Sequence, residues 1–246
     1  MNSRLAKQIF YAAGYLSALF LVIFIAYLIW FKPVATCFDN RRNQNETDID
    51  CGGQCQACEI KTLILPEVSW LKYFPADNQI VIAAEIKNSN LNYAADFFSY
   101  TIDIYDNGGV KIKSLMKNSF IYAGEIKYLV ESVEIDSKKI KEIKISFSNI
   151  NWKLNEEFKK PATQLREIKT ESTVVSGFLT NNNAFRLSKI RIFGFLYNQY
   201  GILIGASKTE LENISAFEEK FFKINFPKNL GDINPDKTKV YAEAIK

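Results

Sequence analysis

The sequence predicts a mainly β protein with one N-terminal transmembrane helix, a small cysteine-rich segment and two tandem β-sandwiches. Three observations predict it. Residues 9–31 form an uncharged, apolar stretch of 23 residues. All four cysteines fall between residues 37 and 58. From residue 64 onward, apolar side chains alternate with polar ones in short runs separated by turn residues. The implied division is residues 1–8 as a cytoplasmic tail, 9–31 as a signal-anchor helix, 32–62 as a disulfide segment, 63–156 as the first sandwich and 157–246 as the second.

The stretch from Ile9 to Phe31 is long enough as a helix, at roughly 35 Å, to cross a hydrocarbon core of ~30 Å with some tilt. Tyr11 and Tyr15 near one end, and Tyr27, Trp30 and Phe31 near the other, match the aromatic belts of the two interfaces. Pro33 is expected to stop the helix. A soluble core helix of this length would carry a polar face, and a cleaved signal peptide has a shorter apolar region. Val34, Ala35 and Thr36 before Cys37 make a poor lipidation site. The expectation is an uncleaved, single-pass anchor in the cell membrane. Arg4 and Lys7 on one side are nearly balanced by Lys32, Arg41 and Arg42 on the other, so charge alone does not orient it.

Cys37, Cys51, Cys55 and Cys58 supply the orientation. An even, tightly clustered set beside an anchor favours two disulfides in an oxidising compartment, which places the C-terminal domains outside the cytoplasm. Three pairings are possible and the sequence does not choose among them. The segment has few apolar side chains and needs cross-links to hold a shape. Gly52 and Gly53 permit a tight turn between Cys51 and Cys55. Zinc is the rival, since Cys55 and Cys58 have knuckle spacing, but the 13 residues between Cys37 and Cys51 break the pattern. A redox-active Cys55–Cys58 pair would lack its βαβ setting. Asp39, Asn43, Asn45, Glu46, Asp48 and Asp50 offer hard oxygen donors for calcium without EF-hand spacing; a solvated polar loop is the competing reading.

Beyond residue 64, sets such as Ile143/Ile145/Phe147, Phe222/Ile224/Phe226 and Val240/Ala242/Ala244 have the period of half-buried strands. Turn signals stand at Asn107 to Gly109, at Ala123 and Gly124, and at Asn181 to Asn183. The chain also repeats itself. Ile86-Lys87-Asn88, Ile102 to Asp106, Gly109 and Glu125 in the first copy correspond to Leu179-Thr180-Asn181, Gly194 to Asn198, Gly201 and Glu218 in the second. Asn88 to Glu125 and Asn181 to Glu218 each span 37 residues, and the copies are offset by 93, a sandwich length. These residues read as turns and strand ends rather than as a binding site built on Tyr105 and Tyr197. Leu154 to Pro161, rich in charge, is the expected linker, and Trp152 before it is expected to pack inside.

Two resemblances follow from these residues. The run through Asp39, Asn43, Glu46, Thr47, Asp50, Cys51, Gly52, Gly53, Cys55 and Cys58 resembles a short motif of bacterial surface proteins, which implies an extracytoplasmic location. The segments 102–106 and 194–198 resemble the central motif of FxLYD-type domains and of the water-stress-type sandwich of late-embryogenesis-abundant proteins. Ile102 and Gly194 stand where that motif has Phe. The resemblance covers most of residues 64–246 and implies immunoglobulin-like or fibronectin-like sandwiches. The layout as a whole is similar to single-anchor bacterial surface proteins.

The net charge of +4 falls to +2 over residues 32–246, without the basic face of a nucleic-acid binder. Histidine is absent, which removes the commonest general base. No nucleophile motif or placed pair of acids stands out, so the sequence predicts a non-enzymatic protein with no cofactor and no metal. The expected partners are the lipid bilayer, through residues 9–31, and a protein or cell-surface partner; nucleic acid is not among them. The expected role is a scaffold, spacer or adhesion element. An accessory subunit of an envelope complex, such as pilus or secretion machinery, is the alternative, with Tyr11, Gly14, Tyr15 and Ser17 as a helix-packing face.

Overall fold

The computed structural model describes residues 3–30, 35–76, 78–228 and 230–245. It is mainly β, with one apolar N-terminal helix and a small disulfide-bonded segment. Residues 1–62 and 63–246 are separate compact units, and each is taken by itself.

Helix α1 runs from Ser3 to Trp30. It starts earlier than the apolar stretch, so the expected tail of residues 1–8 is largely helical. Arg4, Leu5, Ala6 and Lys7 are all good helix formers. Lys7–Trp30 has a mean hydropathy of 2.3, and it is the one helix among the described residues long and apolar enough to cross a membrane. Phe31 and Pro33, expected at its end, lie outside the described residues. The Ser17 hydroxyl donates to the Gly14 carbonyl at 2.9 Å, a local bond that satisfies it without a second helix.

The second unit holds twelve strands among the described residues. β1 (Glu67–Ala76), β2 (Gln79–Lys87), β3 (Tyr93–Tyr105), β4 (Lys111–Ile121), β5 (Ile126–Val133) and β6 (Glu142–Leu154) form the first half. β7 (Thr163–Glu171), β8 (Val174–Asn181), β9 (Leu187–Tyr197), β10 (Leu203–Ile214), β11 (Glu219–Asn225) and β12 (Lys239–Ile245) form the second. The sheets are β1-β2-β5 and β4-β3-β6, then β11-β8-β7 and β10-β9-β12, all antiparallel. Shifting the numbering by six converts the first pair into the second, so the sequence repeat is also a topological repeat.

The core of the second half lies between its sheets, with Val175, Leu179, Ile190, Ile192, Leu196 and Phe222 fully buried. Gly194 belongs to this inner face. A Cβ there would meet the Phe226 ring at 2.9 Å and Ile224 at 3.0 Å. Phe226 therefore fills the space that a larger residue at 194 would need, which explains why glycine stands in a strand interior. Trp152, expected to pack inside, is buried on β6.

Strands β2 and β9 are buried on both faces. On β2, Ile80, Ile82 and Ile86 face one way and Val81 and Ala83 the other. On β9, Ile190 and Ile192 point into the second core, while Phe193 and Phe195 point out of it. Val81, Ala83, Phe74 and Val130 pack directly on Phe193, Phe195, Leu203 and Ala206. The halves are thus docked sheet against sheet, β1-β2-β5 on β10-β9-β12. A strand with two apolar faces needs such cover.

Candidate functional site

The neck of residues 35–62 is built from its own polar groups. Cys37 pairs with Cys55, and Cys51 with Cys58. The four sulfurs are joined to each other, which leaves no thiolate to hold zinc or to exchange disulfides, and it selects one of the three pairings. Cys37, Cys55 and Glu46 lie close together, but through the disulfide sulfurs.

The carboxylates of the neck turn inward on backbone N–H groups. Asp50 Oδ1 accepts from the amides of Asp39 and Asn40 at 3.0 and 3.1 Å. Glu46 Oε2 accepts from Asn43 and Asp50 at 3.0 and 3.2 Å. Asp39 accepts from the Asn43 side chain at 2.8 Å and the Arg41 amide at 2.9 Å. The Asn43 bond, more than any other contact, holds the Asp39 carboxyl below the usual carboxylate range. Each oxygen stands in for the hydrogen-bond partners that a short loop lacks. This geometry supports the self-capped loop over the calcium reading. Gly52 and Gly53 have φ of 78° and 60°, and a Cβ on either would land on Thr47 or on the Asn45 carbonyl. Both must be glycine.

The repeated asparagines carry equivalent turns. Asn88 is fully buried; its amide nitrogen donates to the carbonyls of Tyr93 and Tyr122 at 2.7 and 3.0 Å. Asn181 does the same for Phe185 and Ser215 at 2.9 and 2.8 Å. Each carbonyl oxygen then accepts from a second asparagine, Asn90 or Asn183. That second residue exchanges two bonds with the segment entering its module, at Ile64 or Ala162. The Glu125 and Glu218 carboxylates accept from the amides of Tyr122 and Ser215. Asn90 and Asn183 were missed in the repeat, although both copies read Asn-x-Asn. Asp106 and Asn198 close matching turns, each accepting two backbone amides. Tyr105 and Tyr197 each carry a lysine over the ring, Lys144 at 5.2 Å and Lys239 at 5.4 Å. The repeat is fold grammar at every position.

The seam between the halves was not legible as a site. Its centre is aromatic: Trp70 meets Phe195 edge-on at 6.0 Å, and Tyr128 lies 4.9 Å from Phe195 and 4.3 Å from Tyr241. Its margins are polar. The Tyr122 hydroxyl donates to the Ala244 carbonyl at 2.7 Å. Glu131 accepts from the Tyr100 hydroxyl at 3.0 Å and from Lys208 at 2.9 Å. Burial is the main cause pushing the Tyr100 and Tyr122 phenols well above their ordinary range, so both act as neutral donors. Lys127 and Glu243 form an ion pair inside the seam. The linker is held too: Phe158 stacks on Tyr122 at 4.8 Å, and Lys160 pairs with Glu125 at 2.5 Å. A cleft of about 410 Å³ opens at one margin, between Gln79, Ser132, Ser207, Lys208 and Asn225.

Among the described residues no serine, threonine or cysteine nucleophile is held by a base that an acid orients in turn, the arrangement of a hydrolytic triad. No family model and no curated protein matches the chain. Among solved structures, a crystal structure of red sea bream transglutaminase overlaps 72% of this chain and 31% of that one, at 12% identity and a TM-score of 0.23. A likeness that slight carries no argument about fold or activity.

Proposed function

We propose that the protein is a single-pass membrane protein whose helix α1 anchors a disulfide-bonded neck and a docked pair of immunoglobulin-like or fibronectin-like sandwiches outside the cytoplasm, as a non-enzymatic scaffold or adhesion element. The observation that carries it is the succession of an apolar 24-residue span and two disulfides that start at Cys37. Disulfides persist in oxidising compartments, and a helix of this length covers a bilayer. The doubled topology and its Asn brackets support the FxLYD-type reading of the repeat. The face-to-face docking favours a rigid platform over an extended spacer, because the sheets that a linear spacer would expose cover each other. Polar loops and free sheet edges remain for a protein or cell-surface partner.

The test is a C-terminal topology reporter in the native membrane, combined with thiol counting. A reporter active only outside the cytoplasm, with no free thiol before reduction, is the expected result. A reporter active in the cytoplasm, or four free thiols, overturns the proposal. A second reading, the accessory subunit of an envelope complex, has one observation in its favour. Gly14 carries no side chain, and a Cβ placed there would meet none of the described residues outside its own helical turn within 4 Å; such a spot admits close approach of another helix. Cross-linking from position 14 in the membrane to a partner helix would select it.

A further inference from the structure

Among the described residues, the ion pair inside the seam is the most deeply buried. Lys127 on β5 and Glu243 on β12 touch, and their side chains are only 2% and 7% exposed. Apart from that contact, Lys127 Nζ and both Glu243 carboxylate oxygens lack hydrogen-bond partners among the described residues. The Phe120 ring lies 4.0 Å from Nζ. Arg191 Nη1 stands 3.9 Å from Glu243 Oε1. A buried ion pair is well stabilised only when its remaining protons and lone pairs are satisfied. Here they are not, and burial in the seam favours the uncharged form of Lys127. Burial is the largest influence on Lys127 and lowers its pKa, against the pull of Glu243 and Glu125. The neutral amine is the nucleophilic form.

The geometry points to a covalent modification site: Lys127 and Glu243 condense into an intramolecular isopeptide bond that joins the two halves. The step needs no cofactor and no oxidant. A proton passes from the Lys127 ammonium to the Glu243 carboxylate, leaving an amine against a carboxylic acid in an apolar site. The Nζ lone pair attacks Cδ and a C–N bond forms. The oxyanion of the tetrahedral intermediate faces the Arg191 guanidinium, which stabilises it. Collapse breaks one C–O bond, and the hydroxyl leaves with an amine proton as water. A cavity of about 80 Å³ bordered by Glu125, Lys127, Lys160, Tyr241 and Glu243 can receive that water. The product replaces two buried charges with one neutral amide. Contact through the chain's own fold supplies the proximity that such a reaction needs.

The neighbouring pair Lys160–Glu125 is an internal comparison. It has the same residue types at 2.5 Å, but the Lys160 side chain is 51% exposed. Open to water on the lysine side, that pair lacks the enclosed setting that a condensation needs.

The experiment is the intact mass of the full chain, purified in detergent, then reduced and alkylated, followed by a peptide map. The expected mass is lower by one water than that of the fully alkylated sequence, with a branched peptide joining position 127 to position 243. K127M and E243M should regain the full mass, migrate more slowly on a denaturing gel and lose roughly 10 °C of unfolding midpoint. The wild-type mass decides the matter even if the variants fold poorly. Full mass, with linear peptides containing Lys127 and Glu243, overturns the proposal and leaves a buried ion pair. A branch through Lys160 and Glu125 overturns it as well.

Discussion

Asn88 and Asn181 show what a single side chain does in this protein. Each donates to two carbonyls and accepts from a second asparagine that tethers the incoming strand. Asn88→Ala or Asn181→Ala removes that pair of donations, while the Tyr122 and Ser215 carbonyls each keep a backbone amide, from Glu125 and Glu218, at 3.3 and 3.2 Å. Each is expected to cost about 1–3 kcal/mol. Urea unfolding of the two variants should show losses of similar size, because the brackets are equivalent. A loss confined to one half would mean that the repeat is not a mechanical equivalence. The first asparagine of each bracket was readable from the sequence because it closes an apolar strand before a turn. The second was harder to see. Asn90 and Asn183 have no apolar pattern around them, and their role depends on a segment some twenty or more positions earlier, at Ile64 or Ala162.

At the level of the element, the neck and the helix are both determined locally. The helix follows from uncharged, helix-forming residues, although it begins at Ser3, ahead of the apolar run. The neck depends on two cross-links over short loops, with sequence separations of 18 and 7. A loop of about 15 residues closed by a disulfide is worth about 3 kcal/mol, a large share of what a segment with almost no apolar core can have. Gly52→Ala is expected to misdirect the pairing, since a methyl group would collide with Thr47 in a backbone conformation that alanine resists. Non-reducing peptide maps of the variant should then lose the Cys51–Cys58 peptide. Retention of both native bridges would show that the turn tolerates a side chain. The strand pattern was equally legible, because period-two alternation persists wherever one face is solvated. It was least informative on β2 and β9, where both faces are apolar and the alternation fades.

At the level of the whole molecule, the docking of the halves is the main feature. Phe195 touches Trp70, Tyr128 and Tyr241 and is 1% exposed. Phe195→Ala removes the centre of the seam and is expected to cost about 3–5 kcal/mol. Scanning calorimetry should show one cooperative transition for the β unit of the native chain and two for the variant, as each half unfolds alone. A single transition in the variant would mean that the linker and polar margins suffice. The seam has the character of a domain core more than of a wet contact between loosely linked modules, with charged groups admitted only where another residue faces them.

The sequence by itself determined the order of parts: an apolar span, a cysteine-rich neck, and strands in two copies with their turns. Those features are local, set by hydrophobic period, by turn residues with special backbone freedom and by the count of cysteines, so they survive without knowledge of contacts. Only the tertiary structure decided which cysteines pair, and that the copies dock sheet on sheet instead of standing in line. It also decided that Lys127 meets Glu243 across positions far apart in the chain. The reason is physical. A pairing or a buried charge is defined by its partner, and the partner's position is fixed by how two apolar faces choose to cover each other.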